Sequence, residues 1–156
     1  YQDFAGNLDF ELVHLSEYLK QLMDEGKLKF PESGKKIAVT YHDSCRLGRH
    51  LKIYDSPREL MSAAGMNLVE MQNIRDKSNC CGVSAWMSCN STAMRLQLER
   101  MQEAKSTGAD CLLTFCPKCQ IHYSCAISKE LPFDKSRVNI PTKDVVVALA
   151  ELLDAK

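Results

Sequence analysis

Cys111-Leu112-Leu113-Thr114-Phe115-Cys116-Pro117-Lys118-Cys119 reads as a short strand that runs directly into a helix. Cys111 to Phe115 carries no charge and predicts the strand, which delivers Cys116 at its carboxyl end. Pro117 suits the first turn of a helix that continues through Gln120, Ile121 and His122, where a missing N–H costs nothing. Upstream, Lys36 to Tyr41 predicts a second buried strand, and His42-Asp43-Ser44-Cys45 follows as the loop at its carboxyl end. Open α/β sheets place their sites just outside the carboxyl ends of strands. Two such ends therefore bring cysteine to one edge.

The rest of the chain alternates in the same way. Leu8, Leu12, Leu15, Leu19, Leu22 and Met23 recur at helical spacing, with Asn7 as the expected cap and Gly26 as the stop. Ser56-Pro57-Arg58-Glu59 predicts a capped helix start that runs to Gly65, and Asn67 to Met71 a further strand. Met94, Leu98, Met101 and Ala104 form an apolar row on a helix from Ser91 to Thr107. Val138 to Ile140 is the expected fourth strand, and Thr142 to Asp154 the last helix, carrying Val145, Val146, Leu149 and Leu152. Strands alternating with helices predict the α/β class: a Rossmann-like layered α/β/α fold with a short, mostly parallel sheet and flanking helices. Residues 1–156 are expected to form one domain.

Twenty basic residues balance twenty acidic ones, so no strong field is available to gather nucleic acid or an anionic membrane. No apolar run reaches the roughly 20 residues of a membrane span. No secretory signal opens the chain, and Tyr1 in the first position predicts a fragment of a longer subunit. The expected location is the cytoplasm, or the inner face of a membrane as a peripheral protein. Eight cysteines without a signal peptide point to metal or redox chemistry rather than a disulfide framework.

Five of the eight fall in three places: Cys45, the pair Cys80–Cys81 before Gly82, and Cys116 with Cys119. Residues 46–79 and 82–115 separate them, two lobes of 34 residues each. Thiolate selects iron–sulfur clusters, zinc or copper(I). Helix starts close behind the cysteines lower thiol pKa values, and Gly82 is expected to let the backbone approach a bulky centre. Five thiolates exceed by one what tetrahedral zinc or an ordinary cubane cluster takes. Either one cysteine is free or the centre is unusual.

Cys-X34-Cys-Cys-Gly-X33-Cys-X2-Cys resembles the cysteine-rich CCG domain of heterodisulfide reductases and related iron–sulfur oxidoreductase subunits. The flanking words Tyr41-His42-Asp43-Ser44-Cys45-Arg46-Leu47-Gly48-Arg49 and Cys116-Pro117-Lys118-Cys119-Gln120-Ile121-His122 resemble it too, and the D-type subunit is most similar. The resemblance implies a noncubane [4Fe–4S] cluster held by Cys45, Cys80, Cys81, Cys116 and Cys119. It implies electron transfer and, in the reductases proper, cleavage of a disulfide substrate. Those reductases use two such motifs, so the fragment alone is not expected to be a complete enzyme. The implied partners are other iron–sulfur or flavin subunits or a membrane cytochrome.

Two other readings stand beside this one. The first is a zinc-stabilised structural or docking domain, and the second an electron-relay subunit of a membrane-linked dehydrogenase. His42 and His122, each three residues from a motif cysteine, are the candidates for an N–H donor to a cluster sulfur or a proton relay. Arg46 and Arg49 are candidates to offset cluster charge or to grip a substrate anion. Cys89, Cys111 and Cys125 are expected to be packed thiols.

Overall fold

The computed structural model describes residues 9–31, 37–83, 90–128 and 135–154. Four parallel strands lie at its centre: β1 (Ala38–Tyr41), β2 (Asn67–Leu68), β3 (Cys111–Thr114) and β4 (Thr142–Asp144), in the order β2-β1-β3-β4. Val39 faces Cys111 across β1 and β3, and Leu112 faces Thr142 across β3 and β4. Five helices complete the layers: α1 (Leu15–Asp24), α2 (Asp55–Ala63), α3 (Ser91–Ser106), α4 (Pro117–Ser128) and α5 (Val145–Asp154).

Side chains alternate across the sheet, and this divides the core in two. On one face Val39, Tyr41, Cys111 and Leu113 pack with Leu60 and Met61 of α2 and with Val145 and Leu149 of α5; Leu19 and Met23 of α1 close the edge. On the other face Leu112 packs with Met101 and Ala104 of α3 and with Tyr123 and Ala126 of α4. The predicted α/β/α layering is therefore present.

Strand order makes a crevice. From β1 the chain crosses through α2 to β2, while from the adjacent β3 it crosses through α4 to β4 on the opposite side. Adjacent strands whose connections diverge form a topological switch point, open at their carboxyl ends. Cys45 leaves one of those ends and Cys116 the other.

The element boundaries differ from expectation where side chains intervene. The first helix begins at Leu15, not Leu8, because His14 caps it through Nδ1, which accepts from the Ser16 amide at 3.1 Å. Asn7 and Leu8 lie outside the described residues. Ser56 falls inside α2 rather than at its cap, and its hydroxyl donates to Ser16 Oγ at 3.0 Å, tying α2 to α1. Only Asn67 and Leu68 of the predicted 67–71 strand pair. The fourth strand is Thr142–Asp144 instead of 138–140. Val138 and Ile140 fill the core, and the Pro141 carbonyl accepts from the Leu112 amide at 2.8 Å to start the ladder. Asp144 Oδ1 then accepts from the Val146 amide at 2.8 Å, so α5 starts at Val145. No helix among the described residues is long and apolar enough to cross a membrane.

Candidate metal centre

The β1 ladder extends one residue into the loop, where the His42 amide donates to the Leu113 carbonyl at 2.8 Å. The loop is then fixed from below. Arg58 of α2 holds both carboxylate oxygens of Asp43 at 2.8 Å and grips Glu70 at 2.6 and 3.1 Å, while the Arg75 amide donates to Asp43 at 2.8 Å. Cys45 follows at the head of a π-helical turn, Arg46–His50, in which its carbonyl accepts from the amides of both Arg49 and His50. Such turns are rare and gather at functional sites.

The segment that carries Cys80 and Cys81 lies against α3 at Gly82. Gly82 has φ +93°, and a Cβ there would collide with the Ala93 carbonyl of α3. The absent side chain thus makes room for helix backbone, while the Gly82 amide faces sulfur, donating to Cys80 Sγ at 3.4 Å. Arg49 Nη1 donates to the Ser78 carbonyl at 2.6 Å and anchors the same segment from the π turn. Arg49 thus has a positioning contact, while Arg46 is exposed.

The third arm comes from β3. The Cys116 amide donates to Thr114 Oγ1 at 3.2 Å, and α4 starts at the next residue. Cys119, on the first turn of α4, is buried with its Sγ 3.2 Å from that of Cys81. The ligand atoms of His42, Cys81 and Cys119 all lie within 4.8 Å of one another.

Charge links the remaining thiols to this group. Hydrogen bonds from Cys119, then Cys80, hold the Cys81 thiol far below its ordinary pKa, with further help from His42 and the Val83 amide. Cys119 is driven up, first by its bond to Cys116 and then by Cys81 and burial. Cys80 is driven up by Cys81 and by burial, and the charge of Cys45 adds to the effect. Cys116 is lowered to about 6 by the Cys119 thiol and by the Cys119 and Lys118 amides at the helix start.

Cys80, Cys81, Cys119 and Cys116 thus interact as one chain of sulfurs, and Cys45 adds only its charge, at Cys80. Neighbouring thiolates cannot all ionise without a cation, so these sulfurs share protons. A soft, positively charged metal core fits that donor set, because it would replace the shared protons. The other described cysteines stay apart. Cys111 is buried in β3 and its thiol is pushed up by burial, while Cys125 lies half-buried on α4. Cys89 lies outside the described residues.

The two candidate histidines separate. His42 is 1% exposed and stands edge-on to Tyr123, with ring centroids 5.4 Å apart. Burial pushes its pKa down and the Arg100 charge adds to this, while its bond to Cys81 opposes it. His122 is buried on α4, its carbonyl accepting from Gln97 Nε2, and it does not share the close group of ligand atoms that His42 joins.

Sequence reading missed Arg100 and Gln97. On α3 the fully buried positions include Ala93, Gln97, Arg100, Met101 and Ala104, whereas Met94 and Leu98 of the predicted row are only half-buried. The spacing 93, 97, 100, 104 is itself a helical stripe, but a hydropathy reading assigns glutamine and arginine to solvent. Arg100 is wholly buried and held by Glu103 at 2.6 Å, the Asn73 carbonyl at 2.8 Å, Ser78 Oγ at 3.0 Å and His42 Nδ1 at 3.2 Å. Without those partners its burial would be prohibitive.

The chain is 34% identical over 149 residues to the D-type polypeptide of the dihydromethanophenazine:CoB–CoM heterodisulfide reductase of Methanosarcina mazei. That alignment covers 94% of this chain and 35% of the relative, so the chain spans about a third of that protein's length. It is 36% identical over 123 residues to the "Probable iron-sulfur-binding oxidoreductase FadF" of Bacillus subtilis, covering 76% of the chain and 17% of that protein. Against the EtfAB:quinone oxidoreductase of Syntrophomonas wolfei it is 33% identical over 128 residues, 76% of the chain and 18% of that protein. The family model for the CCG cysteine-rich domain matches residues 39–124, a span that includes all five motif cysteines. The chain therefore belongs to the CCG cysteine-rich domain family.

Proposed function

We propose that this domain carries a thiolate-ligated iron–sulfur centre on Cys45, Cys80, Cys81, Cys116 and Cys119, and serves electron transfer within a larger oxidoreductase. One observation carries the reading: Cys81 and Cys119, from two separated segments, are in direct sulfur contact at 3.2 Å, with Cys80 and Cys116 bonded to them and Cys45 adding its charge at Cys80. Five donors exceed the four of a structural zinc site and suit a noncubane [4Fe–4S] cluster. When bound, such a cluster supplies one-electron redox chemistry at a buried site.

The chain's own residues then do the holding and insulating. The amides of Gly82 and of the α4 start donate to sulfurs, and this stabilises negative charge on them. Tyr123, Leu112 and Met101 keep water from the inner side. The heterodisulfide reductase relative suggests a disulfide as the final acceptor; its cleavage to two thiols consumes two electrons and two protons. Further iron–sulfur, flavin or cytochrome subunits would supply those electrons, with the domain in the cytoplasm or at the inner membrane face.

Serine substitution tests the assignment. Cys81→Ser and Cys119→Ser are expected to lose most bound iron and visible absorbance, while Cys111→Ser and Cys125→Ser keep both. Equal iron content in all four variants would defeat the ligand set. In the assembled complex, reoxidation of the reduced centre by an added disulfide separates substrate chemistry from relay, since a relay domain shows no dependence on the disulfide.

A further inference from the structure

We propose that Arg100 locks His42 as an N–H donor to the sulfurs of Cys81 and Cys119, which makes His42 a tuning residue of the centre and excludes it as a ligand. The side of the argument that concerns potential rests on the iron–sulfur reading above; the side that concerns the proton does not.

Arg100 Nε lies 3.2 Å from His42 Nδ1. A guanidinium nitrogen donates only and does not give up its proton in a protein, so Nδ1 must accept. A neutral imidazole has one proton, and that proton is therefore on Nε2. Nε2 is buried and makes no hydrogen bond within the protein as it stands. A ring nitrogen of His42 lies within 4.8 Å of the Cys81 and Cys119 sulfurs, and they are the acceptors it can serve.

Neither partner is free to rearrange. Arg100 is 0% exposed and is pinned by Glu103, Ser78 and the Asn73 carbonyl as well as by His42. The imidazole is held edge-on by Tyr123. A metal-bound histidine shows the opposite arrangement: it offers a lone pair to the metal and donates its other N–H to an acceptor. Offering an Nε2 lone pair here would place a proton on Nδ1, directly against the N–H of Arg100. The spatial grouping of His42 with Cys81 and Cys119 thus looks like a ligand triad, but its hydrogen bonding makes it a donor and two acceptors.

Hydrogen bonds to sulfur favour the more negative, reduced state of a thiolate-bound centre and raise its potential. Arg100 acts through His42 and is the positioning residue. It also sits against a segment, Ser78 to Cys81, whose register its Ser78 contact helps to set.

The test begins with the tautomer of the unsubstituted chain. Two-bond 1H–15N correlation on histidine-labelled protein is expected to show neutral His42 protonated at Nε2. Protonation at Nδ1, or at both nitrogens, overturns the proposal, whichever metal the protein holds. The second arm is a midpoint potential. Arg100→Met is expected to release the tautomer and shift the reduction equilibrium about tenfold toward the oxidised form, ~59 mV for a one-electron couple. Arg100→Lys, which retains a donor, should recover part of the shift. His42→Ala should keep its full iron content with a lowered potential; loss of iron in that variant would make His42 a ligand and overturn the proposal. An unchanged potential in both Arg100→Met and His42→Ala would overturn it as well. A protein that carries zinc in place of iron would defeat the proposed function, yet the tautomer result would still decide between donor and ligand.

Discussion

Gly82→Ala is expected to destabilise the protein by about 3–5 kcal/mol and to lower its metal content even where the fold survives. Gly82 has φ +93°, a region that alanine enters only under strain. The new methyl group would also overlap the Ala93 carbonyl and lie 3.2 Å from the Gln97 amide nitrogen. Both are backbone atoms in the first turns of α3, and neither can step aside as a flexible side chain would. That end of α3 is fixed in turn, because Asn90 Oδ1 accepts from the Ala93 amide at 2.9 Å. Relief must come from the Cys80–Cys81 segment, which would lift Cys81 away from Cys119. Denaturant unfolding of the variant measures the first effect and metal analysis the second. A loss under about 1 kcal/mol with full metal content would show that the segment is not pressed against α3.

The second large effect is expected at Arg58→Met. Asp43 is nearly sealed from solvent, its side chain 1% exposed, and Arg58 supplies two of its three hydrogen bonds. Arg58 also stacks over the Tyr41 ring at 5.3 Å and binds the Tyr54 carbonyl at 2.8 Å. Methionine would fill much of the same space but leave a buried carboxylate with only the Arg75 amide. Breaking a buried ion pair on one side costs about 3–5 kcal/mol. Adding Asp43→Asn to Arg58→Met is expected to recover a large part of that loss, because the stranded charge is then gone. Denaturant midpoints of the two single variants and the double variant form the cycle that measures it. Additive losses would show that the two side chains do not act as a pair.

Most of the fold was legible because buried strands and helix stops leave strong local marks. The uncharged runs at β1 and β3, Gly26 and Gly65 at helix ends, and Pro117 at a helix start all read correctly. Where the reading failed, a side-chain contact distant in sequence decides the boundary. His14 is an uncommon cap, and its role depends on Ser16, itself fixed by Ser56 across the α1–α2 contact. Val138 and Ile140 resemble strand residues, but they are core residues ahead of the pairing segment. Cys81 and Cys119, which the spacing singled out, do meet. Their support was not legible: Asp43 and Arg58 are 15 residues apart, and Arg100 and His42 are 58 apart. A buried arginine on a helix looks like a solvated one until its partners are seen. Gly82 was singled out for its freedom from a side chain, but its packing against the Ala93 carbonyl of α3 had no mark in the sequence.

Iron, acid-labile sulfide and zinc content of anaerobically purified protein tests the central claim most directly. The account predicts about four irons and about four sulfides per chain, with zinc near zero. About one zinc per chain without sulfide would contradict it. The motif cysteines would then be a structural clamp rather than a redox centre.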